Sequence, residues 1–327
     1  MARTINKKKA GWAFVLLAII FLVVATFSLF LGPVHLSFSE IFQSQIFWQI
    51  RLPRVILAAL IGLLLSVSGV ILQGVLRNPL ADPYILGISA GAGVGATLSL
   101  IFGFQLGFLG INSIPLFAFL FALAAVLVVY KLAQVSGRTS PETLILAGVA
   151  LSAFCSAIIS LIIMLKGNLQ LIYFWLLGSL SYANWSNVLA LIPYALFGVV
   201  ITYFFSKELN ALLLGEELAT TLGVEVEKVK LILVGLASLM TAAAVSVSGL
   251  IGFVGLIIPH WVRLVVGPNH RFLLPLAGLS GMILMVAADA VARVVLAPME
   301  IPIGIVMALV GAPFFLYLLR KKRTVEK

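Results

Sequence analysis

The stretch LNALLLGEELATTLGVEVEKVK, Leu209 to Lys230, decides how this chain is read. Together with Glu208 just before it, it carries Glu216, Glu217, Glu225 and Glu227, five of the eleven acidic residues of a 327-residue chain. Everything around it is oily: 62% of the chain is hydrophobic and only 10% is charged. Glutamates inside a lipid-spanning helix are costly. The segment therefore stays in water while its flanks enter a bilayer. Leu218 and Leu222 are four apart and share a helical face. Glu216 and Glu217 sit where a helix start favours negative charge, and Gly215 and Gly223 can bracket about two turns. Besides an ordinary solvated loop, this pattern fits a docking helix for a partner in the cytoplasm.

Working outward, the apolar share lies far above the roughly 45–50% of soluble domains. Runs of about 20 apolar residues, the length that spans a bilayer, recur along the chain. Their limits are 12–31, 54–76, 84–103, 115–133, 143–165, 188–205, 229–247, 250–267, 273–297 and 302–319. This predicts an all-α polytopic membrane protein of about ten transmembrane helices in one permease domain, 1–327. The segment 169–183 is too short to span and is expected to be re-entrant or interfacial. The first apolar run is longer than a signal-peptide core and lacks an A-x-A-like site, so it is expected to be a retained helix. Pro193, Pro259 and Pro313 fall inside spans, where a kink or break is expected.

Charge fixes the orientation. Both tails are basic, from Arg3 to Lys9 and from Arg320 to Lys327, and basic tails stay cytoplasmic. Two cytoplasmic tails need an even number of crossings. With ten helices, only Arg51, Arg54, Lys166 and Arg293 of the 21 basic residues fall on the outer side. The acidic stretch then faces the cytoplasm, between helices six and seven. The net charge of +10 is thereby explained by membrane orientation, and no nucleic acid is needed. Arg51 and Arg54, in RLPR, and Arg293, in AADAVAR, are expected to stand exposed on the outer face. There they would meet lipid phosphates or, through the planar guanidinium fork, carboxylates of an extracellular partner. Asp289 is four residues before Arg293 and can pair with it.

Other patterns point away from chemistry. GISAGAGVGA, 87–96, lacks the GK[ST] ending of a phosphate-binding loop and lies in a span, where small residues let helices approach. The histidines His35, His260 and His270 are scattered, and Cys155 is alone. No metal, cofactor or catalytic set is expected, so any ATP and magnesium belong to another polypeptide. An ion-coupled secondary transporter remains the alternative, with Asp289 as its nearest candidate carrier.

Specific runs then bring a family into view. RLPRVILAALIGLLLSVSGVILQGVLRNPLADPYILGISAGAGVG (51–95), LILAGVALS (144–152), GLIGFVGLIIPHWVR (249–263), DAVAR (289–293) and EIPIGIVMALVGAPFFLYLL (300–319) resemble the permease subunits of bacterial ABC importers for iron–siderophores, haem and cobalamin. The resemblance covers nearly the whole chain in order. It implies a type II importer permease fold in the cytoplasmic (inner) membrane, multi-pass with both termini inside. It also implies a second copy of the chain, two ATP-binding cassette subunits and an extracytoplasmic substrate-binding protein as partners, with lipid around them. The cargo it implies is a metal chelate, an iron–siderophore first, moved by alternating access. By the same resemblance, Gly215, Glu216, Glu217, Leu218, Leu222 and Gly223, within a coupling segment of about 208–228, engage the ATPase. Arg51, Arg54 and Arg293 receive glutamates of the binding protein. Asn78 and Leu80, in the RNPLADP turn, become candidate gate residues at the cytoplasmic mouth.

Overall fold

The computed structural model describes residues 7–32, 43–103, 113–135, 138–166 and 169–325; Arg3, His35 and Lys327 lie outside them. The described residues are almost entirely helical. The chain runs α1 (Lys7–Phe30), a π-helical turn (Phe47–Arg51) continuing into α2 (Leu52–Val75), a 3₁₀ turn (Pro83–Leu86), α3 (Ile88–Phe102), α4 (Ser113–Ala133), α5 (Pro141–Lys166), α6 (Leu169–Leu176), α7 (Trp185–Phe204), α8 (Ser206–Leu212), α9 (Glu216–Thr221), α10 (Val226–Ser248), α11 (Val254–Val266), α12 (His270–Val294) and α13 (Ile303–Val325). Between α4 and α5, two-residue strands β1 (Gln134–Val135) and β2 (Arg138–Thr139) form a small antiparallel ladder, the one pair of strands among the described residues.

Seven of these helices are long and apolar enough to cross a membrane, α2 together with its π-helical turn, and α3, α11 and the Ile303–Tyr317 part of α13 are shorter apolar helices. They correspond one to one with the ten expected runs. The boundaries move where capping decides them. Asp82 accepts the Tyr84 amide at 2.9 Å and starts a separate 3₁₀ turn. Gly87 then takes a left-handed φ of 76°, cheap only for glycine, so α3 starts at Ile88. Asn269 accepts the Arg271 amide and starts α12 at His270. The segment 169–183 makes only the short helix α6 and a turn, pinned where the Ser179 amide donates to the Ser248 carbonyl at 2.8 Å. α7, α11 and α13 run on through Pro193, Pro259 and Pro313 without breaking.

α2 is the axis of the core, with nearly every side chain buried. α12, α10, α11 and α7 pack around it. Two crossings have no room for side chains: a Cβ on Gly62 would strike the Gly281 carbonyl of α12, and one on Gly69 would strike the Gly255 carbonyl of α11. Backbone approach of this kind gives apolar helices the close packing that lipid alone does not drive. The glycine run of α3 works the same way, as expected. Gly91 lies on the Phe121 carbonyl of α4, where a Cβ would come within 2.6 Å, and Gly95 lies on the Phe117 carbonyl. The outward faces of α1, α5 and α7 are apolar and exposed, among them Trp12, Leu22, Leu146, Met164 and Phe197, as a lipid-facing surface requires. Polar side chains gather at the two ends of α2, which at 1.5 Å per residue are separated by about 36 Å, close to a membrane thickness.

Candidate functional site

At the end where α2 begins, α2 with its π-helical turn, α12 and the segment that follows α12 deliver an arginine–carboxylate cluster. Arg54 Nε donates to Asp289 Oδ1 at 2.9 Å. Arg54 Nη1 reaches both oxygens of Glu300, at 2.9 and 3.0 Å. The other oxygen of Asp289 lies 3.0 Å from Arg293 Nε. Arg293 then donates to the Leu31 and Ser28 carbonyls and to the Ser28 hydroxyl, at 2.8, 3.0 and 2.6 Å. Arg51 donates to the Leu29 and Phe30 carbonyls at 2.9 and 3.1 Å. Two arginines thus serve the carboxyl end of α1, where the helix dipole favours cations.

This corrects the sequence expectation. Arg51, Arg54 and Arg293 are brought together, but they are 4%, 6% and 4% exposed and are not free cations on a surface. Apolar neighbours leave a guanidinium unsolvated, so it must be paired, and these are. The sequence reading missed Glu300, Ser28 and Ser181. The Ser181 hydroxyl donates to Glu300 Oε2 at 2.6 Å. Among the charged groups linked here by ion pairs, Glu300 keeps the most side-chain exposure, 29%. Burial alone would raise its carboxyl, but the bonds from Arg54 and Ser181 and the charge of Arg54 outweigh it. The group is held below the usual glutamate range.

At the opposite end lies the acidic segment. Gly215 and Gly223, with φ of 112° and 86°, bracket the single short helix α9 as expected. Leu214, Leu218 and Leu222, spaced by four, are 60%, 55% and 65% exposed. Glu217 is exposed beside them. Between α9 and the base of α5 opens a groove of ≈ 1150 Å³ lined by Glu142, Glu216, Glu217, Glu227, Arg77 and Thr139 among others. Behind α9 lies Lys230, which the sequence reading placed among the cytoplasmic basic residues; it is buried here, 2% exposed.

The RNPLADP turn joins this end to the interior. Arg77 has a φ of 47°, and its guanidinium lies 3.7 Å from Glu216. Asn78 spends its side chain on the turn, accepting the Leu80 amide at 3.0 Å. Leu80 is half-buried. The chain then climbs into the bundle: Pro83 meets Gly255, and the Tyr84 hydroxyl bridges the amide and carbonyl of Ile251, both at 2.9 Å. The segment therefore runs from the acidic end into the packed interior of the bundle.

A family model described as "FecCD transport family" matches residues 19–321. The chain belongs to the FecCD transport family. FecCD relatives include the uncharacterized ABC transporter permease protein YvrB of Bacillus subtilis, 47% identical over 86% of this chain and 80% of that one. The cobalamin import system permease protein BtuC of Halobacterium salinarum is 46% identical over 84% of this chain and 73% of its own. The hemin transport system permease protein HmuU of Yersinia pestis is 39% identical over 94% and 95%. A solved structure described as an inward-facing conformation of a metal-chelate type ABC transporter superposes with a TM-score of 0.85 at 37% identity, covering 94% of this chain and 98% of that one. The architecture of this FecCD chain is that of a type II ABC importer permease, a multi-pass membrane subunit without enzymatic chemistry of its own.

Proposed function

We propose that this FecCD permease moves a metal chelate into the cytoplasm by alternating access, in a complex of two copies of the chain, two ATP-binding cassette subunits and an extracytoplasmic binding protein. In this reading the acidic end faces the cytoplasm and α9 docks the ATPase. The observation that carries it is the set of exposed leucines in and flanking α9, Leu214, Leu218 and Leu222, with Glu217 beside them. Leu214 and Leu218 line the groove rich in glutamate, and Leu222 follows at the carboxyl end of α9. Exposed apolar residues rimmed by charge mark a protein contact. ATP-driven closure would move α9, and differential stability of the two bundle conformations would do the rest. Leu80 is the gate candidate we retain; Asn78 we read as the residue that shapes its turn.

At the outer end, a carboxylate of the binding protein would take the Arg54 fork by displacing Glu300, the exposed member of the cluster. Asp289 is engaged by two guanidinium groups, which speaks against a free ion carrier. The relatives named for hemin and cobalamin and the ferric hydroxamate permease FhuG of Bacillus subtilis, 38% identical, frame the cargo as a chelated metal. The iron–siderophore expected from sequence stands beside the two tetrapyrroles. The test has two parts. Vesicles holding the permease and its cognate ATPase should take up the cargo only with ATP inside and the binding protein outside. The visible spectrum of that binding protein as purified should then separate haem, corrinoid and ferric chelate. Uptake driven by a proton or sodium gradient without ATP would refute the proposal.

A further inference from the structure

Lys230 has no place yet in this scheme, although it is the most elaborately held group at the acidic end. It projects from the first turns of α10 with its side chain 3% exposed. Its Nζ lies 2.7 Å from Glu216 Oε1, 3.1 Å from Glu227 Oε1 and 3.1 Å from the Thr139 carbonyl. An ammonium group has three donors; Glu227 and the Thr139 carbonyl accept hydrogen bonds from it, and Glu216 faces it as an ion pair. They come from three separate pieces of chain: the first residue of α9, the start of α10, and β2 in the turn between α4 and α5. The remaining oxygen of Glu227 closes the set, accepting the Thr139 amide and hydroxyl at 3.2 and 3.0 Å. A second ion pair of α9, Arg77 to Glu216, is 3.7 Å long and open to solvent on both sides. Exposed contacts of that kind hold little.

From Thr139 the chain enters α5 directly. Thr143 Oγ1 donates back to the Ala133 carbonyl at 3.0 Å, fastening the foot of α5 to the end of α4. Farther along α5, Gly148 rests on the Ile85 carbonyl with no space for a Cβ. Ile85 belongs to the 3₁₀ turn that separates α2 from α3. A continuous line of packed and hydrogen-bonded groups therefore leads from α9 to the break in the helix core. We propose that Lys230 is a positioning residue that binds α9, the base of α10 and the α4–α5 turn into one moving body, so that displacement of α9 reaches the 83–86 turn through α5. This rests on the reading of α9 as the ATPase-docking helix.

The decisive quantity is cargo delivered per ATP hydrolysed, measured in vesicles holding the complete transporter with its cognate ATPase and binding protein. Lys230→Met should lower that ratio by about tenfold while the ATPase still co-purifies with the permease. Lys230→Arg, which keeps the charge and the donors, should restore most of it. A loss of folded molecules lowers uptake and hydrolysis together and leaves the ratio alone, so the ratio separates transmission from mere folding. A wild-type ratio in Lys230→Met overturns the proposal, and so does release of the ATPase from that variant. If Lys230→Met fails to insert, Glu227→Gln decides, since it leaves the amine its bonds to Glu216 and Thr139. A ratio lowered by about threefold supports the proposal and an unchanged ratio sinks it. Leu218→Ala tests the docking reading separately: full ATPase retention there removes α9 from the interface, whatever Lys230 does.

Discussion

The two polar ends of α2 handle charge in opposite ways. At the arginine end, cations from α2 and α12 are withdrawn from the surface and paired with Asp289, Glu300 and the carbonyls of α1. At the acidic end, one lysine is buried while Glu217, Leu214, Leu218 and Leu222 are left outside. Residues whose bonds are all made internally hold the fold. Residues left unsatisfied on a surface are available to a partner. By that criterion the acidic end is built as a contact in the isolated chain, whereas the arginine end becomes one only after Glu300 moves.

The contrast is open to direct test. Asp289→Ala should have the largest effect on folding, because it takes a buried carboxylate from both Arg54 and Arg293. Breaking a buried pair from one side costs about 3–5 kcal/mol, to be seen as loss of monodisperse protein in detergent and a lower thermal midpoint. Gly62→Ala should come next, at about 1–3 kcal/mol, because its Cβ meets the Gly281 backbone. Leu218→Ala with Leu222→Ala should change stability by less than about 0.5 kcal/mol yet strip the ATPase from the purified complex. If this pair unfolds the protein instead, the acidic end is structural and the contrast fails.

Glu300→Gln sharpens the other side. It should lower the thermal midpoint at neutral pH only modestly, by less than Asp289→Ala or Gly62→Ala, and raise capture of the binding protein, most clearly at low salt; weaker capture would mean that Glu300 itself meets the partner. Charge reversal of Arg54 or Arg293 is a poorer probe, since it would wreck the cluster first. The smallest effect is that of pH. The Glu300 carboxyl is depressed in the folded state, so its bonds to Arg54 and Ser181 contribute in full above the ordinary glutamate value of about 4.3. That contribution is lost as pH falls through the lower folded value. A modest drop in thermal midpoint confined to that acid range, absent in Glu300→Gln, is the expected signature.

The span pattern was legible in sequence because lipid demands long apolar runs and prolines and charges interrupt them. The short helix α9 was legible for the converse reason: an acidic run between such helices has nowhere to go but water, and glycines 215 and 223 set its limits. Burial of Arg51, Arg54 and Arg293 was not legible. It depends on Glu300, Ser181 and Ser28 arriving from distant parts of the chain, and no local pattern marks them. Lys230 was hidden in the same way, because its partner Thr139 lies 91 residues earlier. The early start of the 83–86 turn was signalled by Asp82, Pro83 and Gly87, a cap, a proline and a left-handed residue within six positions, but the apolar run around them masked it.

The glycine seam along α2 bears on how the two faces of the membrane are linked. Gly62 and Gly69 sit two turns apart and press bare backbone against α12 and α11. The same stiff rod carries Arg54 at one tip and leads to Arg77 at the other. A small tilt about this smooth fulcrum would swing both tips at once, in opposite senses, so a load placed on the Arg54 tip would be felt at the Arg77 tip.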